Sequence, residues 1–368
     1  MTNPRITQLS DKILASNLAA VALNPSPSLV YLTGLHFHLM ERPTVAFFKA
    51  DSIPAIVLPE LEMQKLKNLP FEIKAFPYGE NPNEWDNVFV EAGHWLSLEG
   101  KRIGLEPQHM RILEYKKVKL ISGAADCPDA TQAVGSMRVC KDQDEINAMR
   151  KAVRIAQEAL TATLPAIKIG AIEEEIANEL VTQLLRHGSQ PDMPFAPIVS
   201  SGPNSANPHA VPSARKLQAG DLLVVDWGAA VDGYISDLTR TFAIGKVDEE
   251  LSKIHQVVQA ANAAGRAAAK PGQPIANVDI AARKVIEDAG YGKYFTHRTG
   301  HGIGMEPHED PYARNDNFQL LEPGMTFTVE PGIYLPGRNG VRIEDNIVIT
   351  ETGAESMSDM PREIRVLG

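Results

Sequence analysis

Two kinds of hydrophobic pattern divide this chain. In the first third, short apolar runs alternate with mixed segments. Residues 5–20, Glu60–Leu69 and 84–99 read as helices. Residues 43–58 (PTVAFFKADSIPAIVL) read as two strands about a turn at Asp51-Ser52, and 102–106 (RIGLE) as a further short strand. The alternation predicts an α/β domain over residues 1–135, closing where small residues and Asp-Pro appear at 123–135. No motif in it is dense enough to be an active site.

From Lys141 the pattern changes. Residues 142–164 form one long run with apolar positions at helical spacing, broken at Lys168-Ile-Gly170. A second helix runs to His187 and stops at Gly188, a residue suited to a helix C-cap. The same order returns: a helix over 248–269, a break at Lys270-Pro-Gly272, and a helix ending at Gly290. Gly170 and Gly272 are 102 residues apart, as are Gly188 and Gly290. The repeat continues into strands, where LQAGDLLVVDWG (217–228) matches LEPGMTFTVEPG (321–332) at an offset of 104. Each copy ends its strand in an acid, Asp226 or Glu330, two residues before a glycine. Residues from about 140 to 368 therefore read as a duplicated α+β domain.

Composition narrows the function. The 368 residues are 43% hydrophobic and 22% charged, as in ordinary globular material. The net charge of −10 argues against nucleic acid or an anionic membrane surface as a partner. Two cysteines, Cys127 and Cys140, make neither a disulfide framework nor a four-cysteine zinc site. The N-terminus lacks the basic-then-apolar order of a secretory signal, and no apolar run is long enough to span a bilayer. A cytoplasmic protein is the expectation. No dinucleotide loop, phosphate loop, His-Glu-x-x-His or Gly-x-Ser-x-Gly string is present, since Met305 stands where a third glycine would follow Gly300-x-Gly302.

The candidate chemistry lies in the duplicated half. Asp232-Gly233 is a hairpin signal. A two-residue loop sets Val231 opposite Tyr234 and Asp237 opposite Gly228, which makes Asp226 and Asp237 diagonal neighbours on one face. In TFTVE, Thr326, Thr328 and Glu330 share a face; in VRIEDNIVI, Arg342 and Glu344 do. If the repeats pack about a pseudo-twofold axis, the four acids converge. Such a group cannot remain ionised unaided, and two divalent cations would neutralise it. Three histidines, His297, His301 and His308, crowd into HRTGHGIGMEPH, and His209 precedes the first acid strand. Glu309 and Asp310 read as loop surface.

These strings (VVDWG, DGYISDLTRTF, HRTGHGIGMEPHEDP, FTVEPGIY and GVRIEDNIVIT) resemble the pita-bread metallopeptidases: methionine aminopeptidase, aminopeptidase P and prolidase, with creatinase as a metal-free relative. YLTGL (31–35) resembles the creatinase-type N-terminal domain, and SMRVCKDQDEI (136–146) the start of the catalytic domain. The resemblance implies a creatinase-like domain over 1–135 and a pita-bread domain over 136–368. It implies metal ligands Asp226, Asp237, His301, Glu330 and Glu344, with Asp237 and Glu344 shared between two divalent ions. Mn²⁺ leads that expectation, with Co²⁺, Zn²⁺ or Fe²⁺ as alternatives. A water acidified by the cations would be the nucleophile, Glu330 the general base and His308 a donor to the tetrahedral intermediate. His209 and His297 match substrate-side histidines, and Arg342 a position that orients an acid such as Asp226. Thr239 and Thr241 are further candidates for that supporting layer.

A creatinase-like domain ahead of the pita-bread domain resembles aminopeptidase P and prolidase. The expectation is an Xaa-Pro aminopeptidase acting on short proline-containing peptides. The alternatives are an Xaa-Pro dipeptidase or a member acting on a non-peptide small molecule. Some prolidases carry an arginine after the His-Glu-x-Pro string to grip the dipeptide carboxylate. Tyr312 stands there, which weakens the dipeptidase form unless Arg298 or Arg314 substitutes. The resemblance also implies a homodimer; the loop His36–Arg42 reads first as plain surface, with approach to the partner's site as the alternative.

Overall fold

The computed structural model describes residues 3–368 and divides into two compact units, one ending at Arg138 and one spanning Val139–Gly368. The first unit holds α1 (Pro4–Ala15), β1 (Ala20–Leu23), α2 (Pro27–Thr33), β2 (Val45–Phe48), β3 (Ala55–Pro59), β4 (Lys74–Tyr78), α3 (Pro82–Leu96), β5 (Ile103–Gly104), α4 (Ile112–Ser122) and α5 (Thr131–Gly135). Its mixed sheet has the order β4-β3-β2-β1-β5. Phe47, Val57, Phe89, Leu96 and Val118 pack together in its core. α1 stops well short of residue 20, because Asn17 takes a left-handed φ of 52° and β1 begins at Ala20. The segment expected as a helix at 60–69 is a 3₁₀ turn over Glu60–Leu66.

The second unit is built twice from one plan. α6 (Gln143–Thr163) and α7 (Glu173–Arg186) precede β6 (Ile198–Ser201), β7 (Leu222–Trp227), β8 (Ala230–Val231), β9 (Tyr234–Ile235) and β10 (Leu238–Ile244). α8 (Glu249–Ala268) and α9 (Ala276–Asp288) precede β11 (Gly300–Gly302), β12 (Glu309–Ala313), β13 (Thr326–Val329), β14 (Gly332–Tyr334), β15 (Gly340–Arg342), β16 (Asp345–Ile349), β17 (Ala354–Ser356) and β18 (Arg365–Leu367). The sheets run β18-β10-β7-β6 and β12-β11-β13-β16-β17. In the first half, Ala156, Leu160, Leu180, Val225 and Trp227 pack helices on sheet; in the second, Ile275, Val278, Phe327, Val329 and Ile347 do.

The duplication extends to single hydrogen bonds. Gly170 N donates to Leu217 O at 2.9 Å and Gly272 N to Leu321 O at 2.7 Å. Leu217 N donates to Ala171 O, and Leu321 N to Gln273 O, both at 2.9 Å. Gly170 and Gly272 have φ of 86° and 74°, a region open to glycine at little cost. Each long helix also starts on an aspartate cap: Asp142 accepts from Glu145 N, and Asp248 from Leu251 N.

The hairpin between the first two acids holds the expected register. Asp232 and Gly233 both have positive φ, as a type I′ turn requires, and Val231 faces Tyr234. The same register continues to Leu238 opposite Trp227 and Thr239 opposite Asp226. Between these stretches the strands press close: a Cβ on Gly228 would lie 2.0 Å from Ser236 O, so only glycine fits.

Candidate metal centre

Each acidic side chain of the cluster sits at or beside the end of a strand. Asp226 is on β7, Asp237 lies between β9 and β10, Glu330 directly follows β13, and Glu344 lies between β15 and β16; His301 is the middle residue of β11. Strand alternation sends the apolar neighbours Val225, Trp227, Phe327 and Val329 into the cores and leaves the acids on the opposite faces. All five line one cavity of about 660 Å³, together with His209, His297, Arg298, His308, Arg314 and Arg342.

One ligand atom each from Asp237, His301 and Glu344 can be chosen so that all lie within 4.8 Å of one another. His301 Nδ1 lies 3.1 Å from Gly302 O, so Nε2 is the ring atom offered to the cluster, 3.2 Å from Glu330 Oε1 and 3.7 Å from Asp237 Oδ2. Burial pushes Asp226, Asp237 and Glu344 above the usual carboxylate range, and their shared negative charge adds to it for Asp237 and Glu344. Glu330 is also buried, yet its hydrogen bond and attraction to His301 hold it down, at about 2. Asp226 Oδ1 and Glu344 Oε1 are buried with no hydrogen-bond partner. Two such oxygens in a four-carboxylate, one-imidazole set lack the positive charge that hard or borderline divalent cations carry, and the donor set fits them.

Arg342 organises one wall. Its Nη2 donates to Asp226 Oδ2 at 2.6 Å, Nη1 to Tyr334 Oη at 3.0 Å and to Pro208 O at 3.1 Å, and Nε to Thr239 Oγ1 at 3.1 Å. Thr239 Oγ1 in turn donates to Glu344 Oε2 at 2.6 Å, and Thr241 Oγ1 donates to Arg342 O at 2.8 Å. Both threonines therefore touch the layer behind the acids. His297 Nε2 lies 2.9 Å from Tyr334 Oη, and its Nδ1 2.7 Å from Arg298 O. The His308 ring meets His301 edge-to-face at 4.2 Å. His209 is exposed at the cavity mouth, on a loop whose flanks Glu173 anchors by accepting from Ser201 N and Ser213 N.

One expectation fails. Glu309 is not surface: it is buried, and its Oε1 pairs with Lys141 Nζ at 2.5 Å, both side chains being shielded. The His308-Glu309 step at the start of β12 turns alternate side chains to opposite sides, so only Asp310 of the two acids faces solvent. Several supporting residues escaped the sequence reading. Tyr334 joins Arg342 to His297. Asn262 on α8 donates to Val329 O at 2.9 Å and Ile343 O at 3.3 Å, the carbonyls just before Glu330 and Glu344. Asp279 Oδ1 accepts from Thr299 N, and Arg283 Nη2 donates to His297 O. A signal existed for three of these: Asp279 and Arg283 are an i, i+4 pair, and Asn262 is the one polar residue in AANAAG.

At the outer end of the cavity Arg298 stacks on Tyr312, 4.3 Å from the ring centroid, and no carboxylate pairs with it among the described residues. Arg314 pairs with exposed Asp316 at 3.1 Å. Phe195, Pro197, Ile198 and Val211 supply apolar wall. Among the described residues no helix is long and apolar enough to cross a membrane.

Comparison with known proteins follows the two units. The model of metallopeptidase family M24 matches residues 147–351, and that of the creatinase/prolidase N-terminal domain matches residues 5–140. The chain is 36% identical over 359 residues to a probable dipeptidase, PepE, of Mycobacterium bovis, covering 96% of this chain and 93% of that one. Among solved structures it is similar to a dipeptidase from Pyrococcus horikoshii OT3, with 35% identity, a TM-score of 0.93 and coverage of 99% and 100%. A prolidase from Thermococcus sibiricus is 32% identical, with a TM-score of 0.93 and complete coverage of both chains.

Proposed function

This chain belongs to metallopeptidase family M24 and is a peptidase, and on that premise we propose that it cleaves Xaa-Pro dipeptides. The dipeptidase form takes precedence over the Xaa-Pro aminopeptidase that the sequence first favours. The observation that carries it is Arg298: a cavity-lining guanidinium without a carboxylate partner among the described residues, stacked on the tyrosine that stands where some prolidases carry arginine. A free C-terminal carboxylate one residue beyond the scissile bond is a natural partner for it. The names of the relatives, dipeptidase and prolidase, support the same reading.

Asp226, Asp237, His301, Glu330 and Glu344 would hold two divalent cations, Mn²⁺ first among the candidates. Bound there, the cations supply positive charge that polarises a carbonyl and lowers the pKa of water. The chain's own groups do the rest. Glu330, reaching into the cavity beside His301, accepts the proton of the attacking water and returns it to the leaving amine. His308 donates a hydrogen bond to the carbonyl oxygen as negative charge develops on it. Arg342 holds Asp226 Oδ2 and so leaves Oδ1 for a cation. His209 lies on the substrate side at the mouth, and His297 braces the wall behind the leaving side through Tyr334. A cytoplasmic location and a homodimer complete the proposal.

The test is cleavage of Xaa-Pro against Xaa-Pro-Xaa at fixed Mn²⁺. We expect higher kcat/KM for the dipeptide, loss of activity in EDTA, and recovery with Mn²⁺ or Co²⁺. Arg298→Ala should raise KM for the dipeptide about tenfold or more. Preference for the tripeptide would return the reading to an aminopeptidase, and no Xaa-Pro cleavage by metal-loaded protein would overturn both.

A further inference from the structure

The two halves of the second unit meet along a line where Thr241 faces Arg342, Thr239 faces Glu344 and Asp237 faces Asn346. Each step back on one side matches a step forward on the other, so the two segments run antiparallel in a single register. Backbone makes the middle rung, where Glu344 N donates to Thr239 O at 3.0 Å. Side chains make the outer rungs. Thr241 Oγ1 donates to Arg342 O at 2.8 Å and accepts from Arg342 N at 3.1 Å. At the other end, Asn346 Nδ2 donates to Asp237 O at 2.7 Å, and its Oδ1 accepts from Asp237 N at 3.0 Å.

Asp237 needs such a partner. β9 ends at Ile235 and β10 begins at Leu238, so this peptide falls in the gap between two ladders. A buried N–H and C=O without partners each cost about 1–3 kcal/mol. A primary amide carries one acceptor and a donor in fixed geometry and meets both groups at once. Asn346 is free to do so because its backbone is committed elsewhere: it faces Thr328 across the β13–β16 ladder, and its carbonyl accepts from Met357 N at 2.8 Å. Its side chain, fully buried, bonds to the backbone of Asp237.

We infer that Asn346 is a positioning residue for the metal centre. It grips the peptide of Asp237 from the strand that carries Glu344 two residues earlier. It thereby fixes the separation of two carboxylates whose ligand atoms, with His301, lie within 4.8 Å of one another. The inference rests on Asp237 and Glu344 being cation ligands.

The experiment is calorimetric titration of EDTA-stripped full-length protein with Mn²⁺, alongside steady-state kinetics on an Xaa-Pro dipeptide. Asn346→Ala should bind Mn²⁺ at least tenfold more weakly and lose kcat tenfold or more, with KM changed less than threefold. Asn24→Ala is the control. Asn24 is an equally buried amide in the first unit, bonded to His109 O at 2.9 Å, and its loss should lower the unfolding midpoint without altering Mn²⁺ affinity. If Asn346→Ala does not fold, Asn346→Ser, which retains a hydroxyl, is read in the same way. Folded Asn346 variants with wild-type Mn²⁺ affinity would overturn the inference, as would an equal affinity loss in Asn24→Ala. Failure of the wild-type protein to take up Mn²⁺ would instead overturn the metal-centre reading and the inference with it.

Discussion

The two halves of the catalytic unit share a scaffold and differ in chemistry. Their helix caps, glycine breaks and strand-entry hydrogen bonds coincide. The side chains at matched positions do not. Gly302 faces Phe327 as Ser201 faces Leu223, so His301 on β11 corresponds to Ser200 on β6, one a candidate ligand and the other a small buried residue. Asp226 is gripped by Arg342, whereas Glu330, its counterpart at the 104-residue offset, reaches His301. On the long helices, aligned from their aspartate caps, Met149 matches His255 and Ala156 matches Asn262. In the first half Trp227 Nε1 donates to the Ala156 carbonyl; in the second the Asn262 side chain donates to Val329 O, so the helix-to-strand bond reverses direction. Backbone geometry has been kept in duplicate while the side chains at matched positions have diverged, and both copies contribute acids to one cavity.

The strongest way to break this comparison is at the matched acids. Glu330→Gln should reduce kcat by about three orders of magnitude, the range of a lost general base. Asp226→Asn should reduce it less, because Asp226 moves no proton. Equal losses in single-turnover kinetics would remove the asymmetry between the halves.

A smaller effect separates Met149 from His255. Burial pushes the His255 imidazole down to about 4, against the pull of Glu363. The folded state therefore prefers the neutral ring, whereas the unfolded chain binds a proton near pH 6.5. Stability is full above about pH 6.5 and falls as the pH drops toward 4. Between pH 7 and 5 this group should contribute a loss of roughly 2 kcal/mol. His255→Met, which copies the first half, should flatten the urea midpoint over that interval; an unchanged slope would show that other groups govern the acid limb.

The smallest effect tests the shared scaffold. Gly170→Ala and Gly272→Ala both force a left-handed residue into open space, with no atom within 4 Å of the added Cβ. Each should cost about 1–2 kcal/mol, and the two losses should agree. Unequal losses in urea unfolding would mean that the two breaks carry different loads.

The comparison also explains what was legible in the sequence. Alternation and a two-residue turn are local properties, so the placement of Asp226 opposite Thr239 and the acids' shared face followed from short strings. The repeat was legible because glycines with positive φ tolerate little substitution. Residues whose roles arise from long-range packing carried no such mark. Asn346 reaches across 109 positions to Asp237, and Tyr334 across 37 to His297. Glu309 was misread because its partner Lys141 lies 168 residues away, and two adjacent acids beside a proline look like loop surface until that lysine is in place.

The contact from Arg342 through Tyr334 to His297 has a direction. A guanidinium only donates, so the Tyr334 oxygen accepts from it, and the single phenolic proton points to His297 Nε2. His297 Nδ1 must then carry the ring proton and give it to Arg298 O. Burial favours the uncharged ring as well. The imidazole is held as one neutral tautomer whose lone pair is already occupied, with no proton to release and no vacancy to fill. The wall behind the acids is therefore insulating: under the proposed mechanism, a proton taken up by Glu330 would have no exit through His297 and would pass to the leaving amine.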